Sequence, residues 1–154
     1  MDIGSGHKYP SAALSNFAPH TFIFDGIECK SMEGFLQSLK FKDQGMQKAV
    51  CQLVGKAAKF KGKKKKWWKT QTLYWRGKEY KRNSKEYQSL LNSAFVALAH
   101  NQSFQKALLA TGDAVLTHSI GKKKMNETVL TEREFCSRLM IMRAVLQTEK
   151  RGIK

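Results

Sequence analysis

The chain has 154 residues, 42% of them hydrophobic, with 28 Lys and Arg against 12 Asp and Glu, a formal net charge of +16. That apolar content excludes a disordered tail, the length fits one domain with one core spanning residues 1–154, and no run approaches the about 20 apolar residues needed to cross a bilayer. The charge favours a polyanionic partner, whether nucleic acid, nucleotide phosphate or an acidic membrane surface, and a solvated basic face is the bland outcome.

Cys29, Cys51 and Cys136 are odd in number, widely spaced and form no Cys-x-x-Cys pair, so neither structural zinc nor a disulfide framework is expected. Free thiols suit a reducing cytoplasm. The opening MDIGSGHKYP also lacks the charged-then-apolar pattern of a signal peptide, and a cytoplasmic location is the expectation.

In chain order, residues 1 to 18 are rich in Gly, Ser, Ala and Pro and read as an irregular entry. Thr21 to Phe24, then Asp25-Gly26, then Ile27 to Cys29, reads as a hairpin with a type I′ turn. Ser31 is a candidate N-cap for a helix to about Phe41, and Lys48 to Lys59 reads as a second helix interrupted near Gly55. Lys61 to Lys66 is a charge run, and segment 61–69 reads as an exposed loop. Asn83 with Glu86 has capping-box spacing, and Tyr87, Leu90, Leu91, Ala94, Phe95 and Leu98 follow at helical spacing. Asn101 can cap a helix carrying Phe104, Leu108 and Leu109, and Ala114 to Leu116 reads as a short strand. Thr131 with Glu134 opens a last helix with Phe135, Leu139, Met142 and Leu146. The fold class is therefore α+β, mainly helical, with a small β component.

Four constellations carry chemically useful residues. On the Ser31 helix, Met32, Phe35, Leu36 and Leu39 share an apolar face, while Glu33, Gln37 and Lys40 share another. That second face is either solvated or lines a pocket, where Glu33 near the helix start could orient water or stabilise a cationic sugar. Thr111-Gly112-Asp113 closes a helix; capping and turn formation explain it, and a carboxylate at an element terminus is the sharper reading. In Ser119-Ile120-Gly121-Lys122, amides near Gly121 and the Lys122 side chain could cradle phosphates, although no GxxxxGK[ST] motif is present. Lys63, Lys64, Lys65 and Lys66 precede Trp67 and Trp68, the pairing of cations and aromatics that single-strand binders use. Trp67 and Trp68 cannot both face one side of a helix, and Tyr74 and Trp75 are expected in the core. No histidine set has metal-ligand spacing, and neither a metal nor a cofactor is expected.

Taken together, Leu14-Ser15-Asn16-Phe17-Ala18-Pro19, Phe24-Asp25-Gly26, Ser31-Met32-Glu33 with Gln37 and Lys40, and Leu108 to Asp113 resemble the NADAR family of YbiA-type N-glycosidases. His118-Ser119-Ile120-Gly121-Lys122 resembles a subgroup of it. The resemblance runs from about residue 3 to 147 and rests on the order of these blocks. It implies a YbiA-like α+β domain and a pocket for ADP-ribose-like ligands. The implied activity is cleavage of an N-glycosidic bond, in riboflavin-pathway intermediates or in guanine bases of DNA that a toxin has ADP-ribosylated. By position it implies Glu33 as the principal catalytic residue, with Asp113 a second polar contributor and Lys40 an alternative nucleophile through a Schiff base. Asn16, Phe17, Lys30, Ser31, Gln37, Thr111, Gly112, Ser119, Gly121 and Lys122 would contact substrate. The Trp-Gly ending and Gly-rich stretch of the YbiA branch are missing, which bears on the riboflavin-type substrate rather than the fold. With the +16 charge, the expected partner is ADP-ribosylated DNA, with a free ADP-ribose-like nucleotide or a non-catalytic binding module as the alternatives.

Overall fold

Asp25 and Gly26 both adopt positive φ, 51° and 75°, as a type I′ turn requires, and they join strand β1 (Phe22–Phe24) to β2 (Ile27–Cys29) with Phe24 opposite Ile27. This geometry comes from a computed structural model, which describes residues 1–152. A second hairpin, β3 (Thr72–Trp75) with β4 (Lys78–Lys81), turns through Arg76 and Gly77 at φ 49° and 85°. Arg-Gly carries a weaker turn signal than Asp-Gly, so the sequence reading missed this hairpin. The Trp75 indole donates to Asp25 Oδ2 at 2.7 Å and Arg76 Nη1 donates to the Asp25 carbonyl at 2.9 Å, which ties the two turns together.

Helices account for the rest of the architecture: α1 (Ser11–Leu14), α2 (Met32–Ser38), α3 (Gln44–Cys51), α4 (Gly55–Lys63), α5 (Lys85–Leu98), α6 (Gln102–Ala110) and α7 (Glu132–Gly152). The α+β, mainly helical class is as expected. Several local expectations need correction. The segment 1–18 contains α1, and Asp2 forms a parallel bridge to Thr117. Lys48 to Lys59 belongs to two helices, because Asp43 caps α3 and a new helix starts at Gly55. The cap of α5 is Ser84, whose hydroxyl accepts from the Tyr87 N–H at 3.1 Å, one residue later than Asn83. Ala114 to Leu116 is not a strand; the N-terminal segment runs beside it and forms an isolated parallel bridge, Asp2 to Thr117. Asn101 caps α6 as expected.

The core centres on α2 and the hairpins. Phe24 stacks on Trp75 with centroids 5.5 Å apart, and Phe35 of α2 meets both edge-on, at 5.5 and 5.0 Å. Edge-to-face and offset packing of this kind adds to the burial of the rings. The opposite side of α2 approaches α3 and α4 so closely that a Cβ at Gly34 would lie 2.6 Å from the Leu53 carbonyl oxygen and 3.0 Å from that of Val50. These are backbone atoms and cannot swing aside. Gly34→Ala should therefore cost about 1–3 kcal/mol of stability, read as a lowered urea midpoint with unchanged slope.

At the start of α7, Thr131 and Glu134 form the expected capping box: the Thr131 N–H donates to Glu134 Oε1 at 2.8 Å, and the Glu134 N–H to Thr131 Oγ1 at 3.1 Å. The same carboxylate receives both terminal nitrogens of Arg82, at 3.1 and 2.6 Å, and the Gln88 amide at 2.6 Å. Arg82 is 1% exposed and also donates from Nε to the Thr128 carbonyl at 2.8 Å. This network closes the start of α5 against the start of α7.

Candidate active site on helix α2

The start of α2 is set by local chemistry. Ser31 Oγ accepts from the Gly34 N–H at 3.0 Å and donates to the Leu53 carbonyl at 2.9 Å. The Glu33 N–H donates to the Asn16 carbonyl at 3.0 Å, so Asn16 abuts the helix that carries the candidate carboxylate. Phe17 is half-buried beside Gly55, whose Cβ position lies 3.8 Å from the ring. Lys30 keeps an exposed side chain, and its N–H donates to the Cys51 carbonyl at 2.9 Å.

On the shared face of α2, Gln37 is buried while Glu33 and Lys40 are each half-buried. Burial raises the Glu33 pKa above the ordinary carboxylate value, opposed in turn by the charge of Lys40, the adjacent Gln37 amide and the charge of Lys59. Burial likewise lowers the Lys40 pKa, opposed by Glu33 and reinforced by the like charges of Lys122 and Lys59. The cluster thus holds a carboxylate and an amine displaced toward each other, with two further cations beside them.

Lys59 was missed by the sequence reading, as was Gly62. Gly55, Ala58 and Gly62 form the small-residue face of α4, and this face lets α4 press against α2. A Cβ at Gly62 would run into Gln37 Oε1 and lie 2.7 Å from its Cδ. The spacing of small residues was legible in sequence, whereas its partner was not. Gln37 is buried, and its Oε1 has no hydrogen-bond partner, leaving an acceptor available to a ligand. Since the obstructing group is a flexible side-chain end, Gly62→Ala should displace Gln37 rather than unfold the chain. We expect a change in Tm within about 2 °C, together with a several-fold rise in KM for the substrate tested below.

The other predicted residues are placed elsewhere or otherwise engaged. Thr111 is buried; its hydroxyl donates to the Leu108 carbonyl at 2.7 Å and accepts from Arg143 Nη1 at 2.8 Å. Gly112, at φ 60°, ends α6, and its carbonyl accepts from Gln147 at 3.1 Å. Asp113 is exposed beyond that turn, whereas the charged groups acting on Glu33 are Lys40 and Lys59. Ser119 donates its N–H and hydroxyl to the Asp2 carboxylate, at 2.8 and 2.6 Å, holding the Asp2 pKa down to about 2. The Gly121 N–H donates to the His118 carbonyl at 2.9 Å, and a Cβ there would lie 2.5 Å from the His118 ring. Ser119 and Gly121 therefore shape the loop instead of presenting free amides to phosphate; Lys122 is the member that reaches the cluster. Trp67 is buried at 7% exposure, so of the tryptophan pair only Trp68, at 51%, is available to a partner. Lys63, at the end of α4, and Lys64, Lys65 and Lys66 beyond it are exposed.

Among the described residues no three His, Cys, Asp or Glu side chains group to hold a metal ion, and no helix is long and apolar enough to cross a membrane. A shallow depression of about 520 Å³ lies over α6 and Lys150, lined by Gln102, Gln105 and Lys106, away from Glu33.

This arrangement of elements is a YbiA-like fold. The NMR structure of the E. coli protein YbiA is similar with a TM-score of 0.63 and 19% identity, covering 97% of this chain and 86% of that one. The model of the family described as bacteriophage protein GP30.3 matches residues 8–144, and the chain belongs to that family. It is 38% identical over 148 residues to an uncharacterized 17.1 kDa protein of the Gp30-rIII intergenic region of Enterobacteria phage T4, covering 93% of this chain and 96% of the relative.

Proposed function

We propose that this chain is an N-glycosidase that releases ADP-ribose from guanine bases in DNA. The observation that carries the reading is the half-buried pair of Glu33 and Lys40 beside buried Gln37, with the charges of Lys59 and Lys122 acting on them. A carboxylate whose pKa burial has raised is a stronger base than an ordinary one. Lys59 and Lys122 offer positive charge to a diphosphate, and the unpartnered Gln37 Oε1 can accept from a ribose hydroxyl. In the step envisaged, a water oxygen bonds to the anomeric carbon as the carbon–nitrogen bond breaks. Glu33 takes the water's proton, and the departing base gains one from solvent or from the Lys40 ammonium. Asp113, exposed beyond α6, has no part in this step.

A second route is favoured by the lowered pKa of Lys40. Its neutral amine bonds to the anomeric carbon as the carbon–nitrogen bond to the base breaks, the base taking up the amine's proton. The ring carbon–oxygen bond then opens to give a Schiff base, which water hydrolyses to free the amine and the sugar. Borohydride would trap that adduct in the wild type and not in Lys40→Met.

The test of the function is turnover of ADP-ribosylated guanine in single-stranded DNA by wild type and Glu33→Gln. Release of ADP-ribose by wild type alone supports the proposal. Cleavage of a free ribosylated nucleotide but not of DNA would make the protein a small-molecule glycosidase. Ligand binding without turnover in either form would make it a binding module.

A further inference from the structure

Helix α4 and the turn after it present an unusual surface. Along α4, Lys56, Lys59, Phe60 and Lys63 fall on one stripe, and Phe60 is 61% exposed on it. An aromatic left open among lysines is not explained by packing, because the buried face of α4 is made by Ala58 and Gly62. The chain then runs through exposed Lys64 to Lys66 into a 3-10 turn, Trp67–Lys69, where Trp67 enters the core and Trp68 stands out. The side-chain amide of Gln71 donates to the carbonyls of Trp68 and Asn126, at 2.9 and 3.0 Å, so this turn is fastened to the loop carrying Lys122, Lys123 and Lys124. Lys122 and Lys59 both act on Lys40, so the two basic segments flank the Glu33 cluster.

We propose that this surface is a track for single-stranded nucleic acid, in which Phe60 and Trp68 stack on bases while the neighbouring lysines take the phosphates. Charge selects the polyanion, and the exposed rings select the form. Bases in a duplex already stack on one another and offer no free face, whereas unpaired bases do. An anionic bilayer fits less well: the exposed rings are single and separated by lysines rather than gathered on one apolar face. The track rests on the hydrolase reading only for what the strand delivers to Glu33; binding of the strand itself does not depend on it.

The experiment is fluorescence anisotropy with a labelled, unmodified oligothymidine of about 12 nucleotides, a length within the site sizes of single-strand binders. The wild type should prefer it to a duplex of equal length. Phe60→Ala and Trp68→Ala should each weaken binding about tenfold with Tm retained, since both rings are exposed. Lys56→Gln with Lys63→Gln should flatten the plot of log affinity against log salt by about 1.4. Lys85→Gln with Lys106→Gln, exposed on α5 and α6 outside the track, should leave both that slope and the preference for the single strand unchanged. Unchanged binding by both aromatic variants would overturn the track. So would duplex, or phosphatidylserine vesicles, bound as tightly as oligothymidine and with the same sensitivity to those variants. Glu33→Gln should bind the oligonucleotide like the wild type. If the wild type binds it through Phe60 and Trp68 yet releases nothing from an ADP-ribosylated strand, the hydrolase reading falls and the track stands. If the double aromatic variant processes that strand at the wild-type kcat/KM, the track falls and the hydrolase reading stands.

Discussion

Glu33→Gln should lower turnover of ADP-ribosylated guanine by roughly 10²- to 10⁴-fold, the usual range for losing a positioned acid–base group. It should do so without unfolding the protein. Burial raises the Glu33 pKa, so in the folded state its ionised form is disfavoured relative to the unfolded chain. A group of that sign contributes stability that is present at low pH and lost as pH rises through its folded pKa. At neutral pH the glutamine variant therefore keeps its Tm or gains a little. The pH profile separates this role from a structural one. A base works when ionised, so kcat/KM of the wild type should climb through a pKa above the ordinary carboxylate range and then level. The variant's residual rate should lack that limb. A variant that loses its Tm along with its activity, or that keeps the limb, would remove Glu33 from the chemistry.

Arg82→Met should have the largest effect on stability. The substitution leaves the Glu134 carboxylate 9% exposed without its bidentate partner, and removes the Arg82 bond to the Thr128 carbonyl. Breaking a buried pair on one side costs about 3–5 kcal/mol, which for a chain of this size lowers Tm by roughly 6 to 20 °C. The pH dependence should change sign as well. In the wild type burial pushes the Glu134 pKa up, but the bonds from Arg82, the Thr131 N–H and Gln88 outweigh it and the net shift is downward. Stability from this group is thus present above the unfolded carboxylate pKa and is lost as pH falls through the lower folded one. Without Arg82 the burial effect dominates, so protonation favours the folded state. The variant's deficit should begin to shrink as pH falls through the raised folded pKa of Glu134, above the unfolded carboxylate value of about 4, and should go on shrinking below it as the wild type loses its own contribution. Differential scanning calorimetry of both proteins between neutral and acid pH measures this directly. A constant Tm difference across that range would show that the pair carries no such linkage.

The two predictions bear on features that were unequally legible. Ser31 as the cap of α2, the Asp25-Gly26 hairpin, Asn101 at α6 and the Thr131–Glu134 capping box were all readable, because each is made by residues within a few positions of one another. The shared face of Glu33, Gln37 and Lys40 follows from helical spacing alone, although that face could equally have met water. Glu134 was legible as a cap residue, while its second role as the partner of Arg82 was not, since 52 positions separate them.

Local sequence was enough for the starts of α2, α6 and α7 and for the first hairpin, for the apolar faces of these helices, and for the strongly basic charge. Those depend on backbone capping, side-chain periodicity and a charge count. Tertiary packing was needed to bury Gln37 and half-bury Glu33 and Lys40, to bring the charges of Lys59 and Lys122 to bear on Lys40, and to bury Trp67 while Trp68 stays exposed. It also decided that Ser119 and Gly121 hold a loop in place rather than meet a phosphate. The physical reason is that burial, desolvation and the meeting of distant charges are set by how separate elements pack. Gly62 shows this directly: a residue with no side chain brings α4 against Gln37 and so completes a site whose functional groups lie on other elements.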